Sequence, residues 1–168
     1  MERIETTAIR NLIHHEEYCR KVLPFIKEEY FNDRLEKLIF TEIYKFVNKY
    51  NNLPTKESLS IEMNANKGVS EDEYKKMNEI ISSLNPEPIN LDWLVETTEV
   101  WCKDRAIHNA ILGGIQILDG KDKDHTPEYL PEMLTEALSV SFDQKVGHDY
   151  LLESKERYDY YNRKEERL

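Results

Sequence analysis

Glycine is scarce in this chain, five in 168 residues, and no two or three of them form a phosphate-cradling cluster. There is no GxxxxGK[ST] loop and no GxGxxG turn, so nothing here brings several backbone amides up to a nucleotide phosphate. ATP hydrolysis by this stretch alone is thereby excluded. Cysteine is nearly absent too: Cys19 and Cys102 lie far apart in helical patterns, which reads as reduced core thiols rather than a disulfide framework or a zinc site. No run of about twenty apolar residues is present, and the opening MERIETTAIR has neither a signal-peptide apolar region nor an Arg-rich transit pattern. No membrane contact is expected, and the expected location is the cytoplasm. Positive charge is also short. Lys and Arg number 23 against 33 Asp and Glu, a formal net charge of -10 that opposes the counterion release driving phosphate binding. Little direct nucleic-acid contact is expected.

Leu, Ile, Lys and Glu dominate what remains, which predicts an all-α fold, and the length suits one domain with a sizeable core. Helices are predicted from Ile4 to His14 and from Glu16 to Phe25. Asn32-Asp33 then caps a longer helix in which Leu35, Leu38, Ile39, Ile43, Phe46, Val47 and Tyr50 recur at spacings of three and four, one broad apolar face. Asn51-Asn52-Leu53-Pro54 ends it, and Thr55 caps a short helix holding Leu59, Ile61 and Met63. Gly68 closes that element. Ser70-Glu71-Asp72-Glu73 is a capping box, opening a helix that carries Met77, Ile80, Ile81 and Leu84.

Asn85-Pro86-Glu87-Pro88 forces an extended connection, after which Leu91 to Leu118 runs without proline as the longest helix, about 40 Å at roughly 1.5 Å per residue. Its apolar residues are too many for one stripe, so two of its surfaces need covering. Gly113-Gly114 costs roughly 1 kcal/mol per residue against Ala in a helix interior; a close backbone approach, a kink or, most simply, a frayed end accounts for it. Gly120 and Lys121 to His125 form a loop, and Thr126-Pro127-Glu128 opens a last helix with Pro at its first position, carrying Leu130, Met133, Leu134, Ala137 and Val140. The two helices make a long hairpin with more apolar surface than they can bury against each other. Surplus of this kind marks an interface, with Trp101, Ile111, Ile115, Met133 and Leu134 as candidates; the alternative is packing against the rest of the domain.

Beyond Gly147, Asp149 is placed to cap a new helix whose Leu151, Ser154, Tyr158, Tyr161 and Leu168 share one seam. No helix breaker or glycine cap follows, so the expectation is an N-terminal domain plus the first part of a linker. Tyr158, Tyr160 and Tyr161 stand among basic residues, yet residues 148–168 carry six acids against five bases, which favours docking to protein over stacking on single-stranded DNA. His14-His15-Glu16-Glu17 resembles a metal cluster by composition, but neighbouring helical residues diverge and no i, i+4 histidine pair exists; a capped surface step is the better reading. His108, beside apolar neighbours, reads as a satisfied packing residue.

Several short stretches carry a family likeness. They are Ala137 to Asp143, then Val146-Gly147-His148-Asp149 with Tyr150; upstream, Val47-Asn48-Lys49-Tyr50 with Pro54; and Trp93-Leu94-Val95-Glu96, Thr98-Glu99, Arg105-Ala106 and Asn109-Ala110. Over most of its length the chain resembles the replicative DNA helicases of T-even-type bacteriophages, which are DnaB-like hexamers. The resemblance implies a helical head over 1–88, a helical hairpin of the same domain over 89–142, and a hinge with a partial linker helix over 143–168. It makes Val146, Gly147, His148 and Asp149 the hinge, and Leu151, Ser154, Tyr158, Tyr161 and Leu168 the surface that docks on a neighbouring subunit. The RecA-like motor, with its ATP and Mg, is absent from this stretch. Expected partners are further copies of the chain in a hexamer and primase, with a helicase loader as a further candidate. No catalytic, cofactor or metal residue is assigned. Two other classes stand beside this one: a free-standing helicase-binding adaptor resembling a primase C-terminal domain, which would end with the hairpin, and a small helical enzyme, for which no convergent polar site is visible.

Overall fold

The computed structural model describes residues 2–142; the expected hinge and docking residues, from Val146 to Leu168, lie outside the described residues. Within them the chain forms seven α-helices and no strand. These are α1 (Ile4–His14), α2 (Glu16–Val22), α3 (Arg34–Tyr50), α4 (Lys56–Asn64), α5 (Glu71–Ser82), α6 (Leu91–Leu118) and α7 (Leu130–Leu138). Two compact units divide inside α6, one running through Thr98 and the other starting at Glu99.

In the first unit the helix ends are set by local chemistry. Asp33 accepts the backbone N–H groups of Leu35 and Glu36 at 2.8 and 3.0 Å, satisfying two donors that α3 cannot pair internally. Asn51 ends that helix in the left-handed region (φ 55°), the conformation that Asn tolerates best after Gly. Thr55 and Ser58 form one reciprocal cap, on α4, and Ser70 and Glu73 another, on α5. The Glu73 carboxylate also receives Arg34 at 2.8 Å, so a single side chain caps α5 and ties it to the start of α3. Asn90 caps α6 by accepting the Trp93 N–H at 2.8 Å.

With its ends fixed, α3 lies against α1, α4 and α5, burying Ile39 and Ile43 with Leu12, Leu59, Met77 and Leu84. Leu94 is fully buried in the same unit, where the Tyr18 hydroxyl meets Thr98 Oγ1 at 2.7 Å. The His14-His15 step is structural. His15 Nδ1 caps α2 by accepting from the Tyr18 N–H at 3.3 Å, and His14 Nε2 lies 2.6 Å from the Leu84 carbonyl, pinning the end of α1 to the segment after α5.

Two predicted helices differ at proline. The expected Glu16–Phe25 helix stops at Val22 and tightens into a 3₁₀ turn over Leu23–Phe25, because Pro24 has no N–H to continue the ladder. A second 3₁₀ turn follows at Glu28–Tyr30, which no apolar periodicity announces. Near the other end, the helix expected from Thr126 begins as a 3₁₀ turn over Pro127–Tyr129, and α7 proper starts at Leu130. Pro131 is the cause: in a continuous α-helix its ring would press on the carbonyl four residues back, whereas at the first turn of a new helix it is tolerated.

Candidate interaction surface on the helical hairpin

The second unit holds the longer part of α6, from Glu99, together with α7. Helix α6 continues through Gly113-Gly114 to Leu118, so the frayed end expected as the simplest account does not occur. What the glycines provide is room. A Cβ on Gly113 would stand 3.3 Å from the Met133 terminal methyl, and one on Gly114 would stand 3.0 Å from a Leu130 methyl. Side chains of α7 therefore occupy the space that larger residues on α6 would take. The turn between the helices is closed by Gly120 (φ 76°), with the Lys121 N–H reaching the Gln116 carbonyl at 2.9 Å and the Gly120 N–H reaching Ile117 at 3.1 Å, a Schellman arrangement. Asp122 then accepts the N–H groups of Asp124 and His125, and the His125 ring stacks on Tyr129 with centroids 4.4 Å apart.

At the other end of the hairpin, Glu99 receives the Phe142 N–H at 2.9 Å and the Ser141 hydroxyl at 3.2 Å, so the chain after α7 returns to the beginning of this part of α6. The hairpin is antiparallel and tied at both ends.

One sector of α6 faces α7, and another faces solvent. At roughly 100° per residue, Val100, Ile107, Ile111, Ile115 and Leu118 fall within a sector of about 80°, next to the sector of Ala110, Gly113, Gly114 and Ile117. Ala110 and Ile117 are buried, while Val100, Ile111, Ile115 and Leu118 are exposed, Leu118 to 65%. Leu112 is exposed beside them, and on α7 Leu134 and Leu138 lie one turn apart, Leu138 exposed to 68%. Seven large apolar side chains on two short stretches of helix are more than scattered surface apolarity explains.

The five sequence candidates separate on this geometry. Ile111, Ile115 and Leu134 are on the exposed surface. Trp101 is buried, 6% exposed, and offers no free face; Met133 is half-buried with its methyl against Gly113. Val100, Leu112, Leu118 and Leu138 belong to the exposed set and were missed. The signal for two of them, Val100 and Leu118, was available: Val100, Ile107, Ile111 and Leu118 follow the seven-and-four spacing of a helix seam.

Among the described residues no group of three His, Cys, Asp or Glu side chains is placed to hold a metal, and none of the helices is long and apolar enough to cross a membrane. Cys19 is buried, which pushes its thiol up to about 12, and burial pushes Cys102 up as well; neither is a thiolate near neutral pH.

No family model matches the chain. A curated relative does: the DnaB-like replicative helicase of Enterobacteria phage T4, 32% identical over 151 residues, covering 85% of this chain. The chain spans about a third of the length of that relative, 32% of it. With an all-α fold and that likeness running along most of its length, the chain belongs to the DnaB-like replicative helicase family.

Proposed function

We propose that this chain is the non-catalytic N-terminal collar of a phage replicative DNA helicase, and that the hairpin surface is where subunits meet. The observation that carries this reading is the second apolar face of α6, exposed although α7 already covers the first. Family membership supplies the context: a collar that helps hold a hexamer together and docks primase, attached to a motor that binds ATP and Mg and unwinds DNA from 5′ to 3′ in the host cytoplasm. A loader is a further candidate partner. The acidic balance of the chain supports a role for this stretch with little direct DNA contact.

The magnitudes suit a contact that works within an assembly. Covering one half-exposed Leu or Ile yields about 1 kcal/mol, so the exposed set on one hairpin supplies several kcal/mol against an association cost of similar size. A single pair of hairpins should thus associate weakly, and a ring that repeats the contact should be firm. Sedimentation of the 168-residue chain over a concentration series tests this. Self-association that disappears in the Ile111→Asp, Leu118→Asp double variant, with unchanged helical circular dichroism, is the expected result. A chain that stays monomeric at every concentration, or a double variant that associates as before, would overturn it. Primase capture by the wild-type chain tests the docking role separately.

A further inference from the structure

The exposed face of α6 is not purely apolar. At roughly 100° per residue, Asp104 falls between Ile111 and Ile115, the one charged side chain from Glu99 to Leu118 inside that sector. His108 borders the sector, about 20° beyond Ile115. Both residues are exposed, and among the described residues neither makes a hydrogen bond or an ion pair, although they stand one turn apart. Any protein that covers this face takes the Asp104 carboxylate out of water. A carboxylate so covered needs a partner that donates to it.

A second copy of the chain carries that partner. Parallel pairing about a two-fold axis would set Asp104 beside its own counterpart, like charge against like. Antiparallel pairing has two registers that join apolar side chains along α6. One is centred on Asn109 and puts Val100 opposite Leu118 and Ile107 opposite Ile111, but it leaves the Asp104 carboxylate against Gly114 and Ile115, which offer no side-chain donor. The other is centred beside Ala106. It puts Val100 opposite Ile111, brings Leu118 over the first turns of the opposing α6, where Trp93 is exposed, and sets Asp104 opposite His108. The two-fold axis makes that last contact twice, and each carboxylate faces an imidazole able to donate an N–H. With apolar pairs in both registers, the unpaired carboxylates of the first decide for the second.

We infer that two copies of the chain meet along α6 in the antiparallel register centred beside Ala106, and that Asp104 and His108, reciprocally paired between the copies, are the residues that select it. The inference rests on the proposed hairpin interface and adds to it an orientation, a register and the pair that sets both.

The test is sedimentation of the 168-residue chain as wild type, as Asp104→Lys, as His108→Glu, and as an equimolar mixture of the two variants. Both substitutions place good helix formers at exposed positions, so the fold is kept. Each variant alone loses both reciprocal pairs and should associate roughly tenfold more weakly than wild type. In the mixture the new lysine meets the new glutamate, and the remaining Asp104 and His108 meet each other, so association should return to about the wild-type strength. A pair closed within one helix would be mended only when both substitutions share a chain, so rescue by mixing reports contact between chains. If wild type associates and the Ile111→Asp, Leu118→Asp variant does not, but the mixture is no tighter than its separate components, the register is overturned and the hairpin interface stands. A wild-type chain that stays monomeric at every concentration would overturn both.

Discussion

The Phe142 backbone N–H donates to the Glu99 carboxylate at 2.9 Å, across 43 residues of sequence. Because the Ser141 hydroxyl reaches the same carboxylate oxygen, one acidic side chain holds the chain leaving α7 against the start of the hairpin. Lys103, one turn further along α6, stands 3.8 Å from it and leaves most of its bonding capacity to those two groups. The order of this contact follows from α7's length: nine residues descend part of the way along α6, and the segment through Phe142 covers the rest.

Glu99→Ala should free that segment. We expect faster amide hydrogen exchange at Phe142 and a loss of about 1–2 kcal/mol, the usual worth of charge-assisted hydrogen bonds in a partly exposed setting. Exchange measured residue by residue checks it. Unchanged protection at Phe142 would mean the contact does not hold the segment.

Gly114→Val should open the hairpin. A Cβ already meets a Leu130 methyl at 3.0 Å, and two further methyl groups would crowd that side chain and force it or α7 to shift, at a cost of about 1–3 kcal/mol. Gly113→Ala is the milder change, since the Met133 methyl is the end of a flexible side chain and the gain in helix propensity, about 1 kcal/mol, offsets the crowding. Thermal denaturation of both variants should rank Gly114→Val well below wild type and Gly113→Ala close to it.

Ser70→Ala removes half of the reciprocal cap on α5. Its hydroxyl accepts the Glu73 N–H at 3.1 Å, and the expected loss is about 1 kcal/mol, read as a lower urea midpoint with unchanged slope. A full-sized loss with Ser70→Gly as well would be unexpected, because glycine is itself a tolerated cap.

Glu36 gives the pH dependence an unusual sign. Burial pushes its carboxyl above the ordinary glutamate range; the nearby Arg3 guanidinium pulls it back in part, and Asp33 raises it further. One carboxylate oxygen is buried with no hydrogen-bond partner. The folded chain therefore holds this proton more tightly than the unfolded chain. The contribution of Glu36 to stability is greatest below the ordinary glutamate value and falls as pH rises from there through the raised value. Glu36→Gln should remove that falling limb, so the variant gains on wild type as pH is raised from 4 to 7 in paired urea denaturations. A constant difference across that range would show that the carboxyl titrates normally.

The capping residues were the most legible part of this chain. Asp33, Thr55 and Ser70 with Glu73 mark helix starts because each start needs a side-chain acceptor for its unpaired N–H groups, and only a few residue types supply one. Asn51 marks an end for the matching reason, its tolerance of positive φ. Proline was legible only in part: Pro24 and Pro131 each exchange a turn of α-helix for 3₁₀ structure, and an apolar period that runs across them conceals the change.

What the sequence determined by itself is the all-α fold, most helix boundaries and the family, because caps, propensities and short motifs are local and survive without neighbours. What only the tertiary structure decided is the fate of individual apolar side chains. Trp101 and Ile111 look alike as members of a crowded helix, and packing buries the first while leaving the second half in water. The same holds for Gly113-Gly114, whose purpose is invisible until Leu130 and Met133 arrive against them, and for Glu42, whose carboxylate becomes part of a groove only when α4 is set beside α3. Burial is a property of the neighbours that long-range folding brings together, and no local pattern of residues contains it.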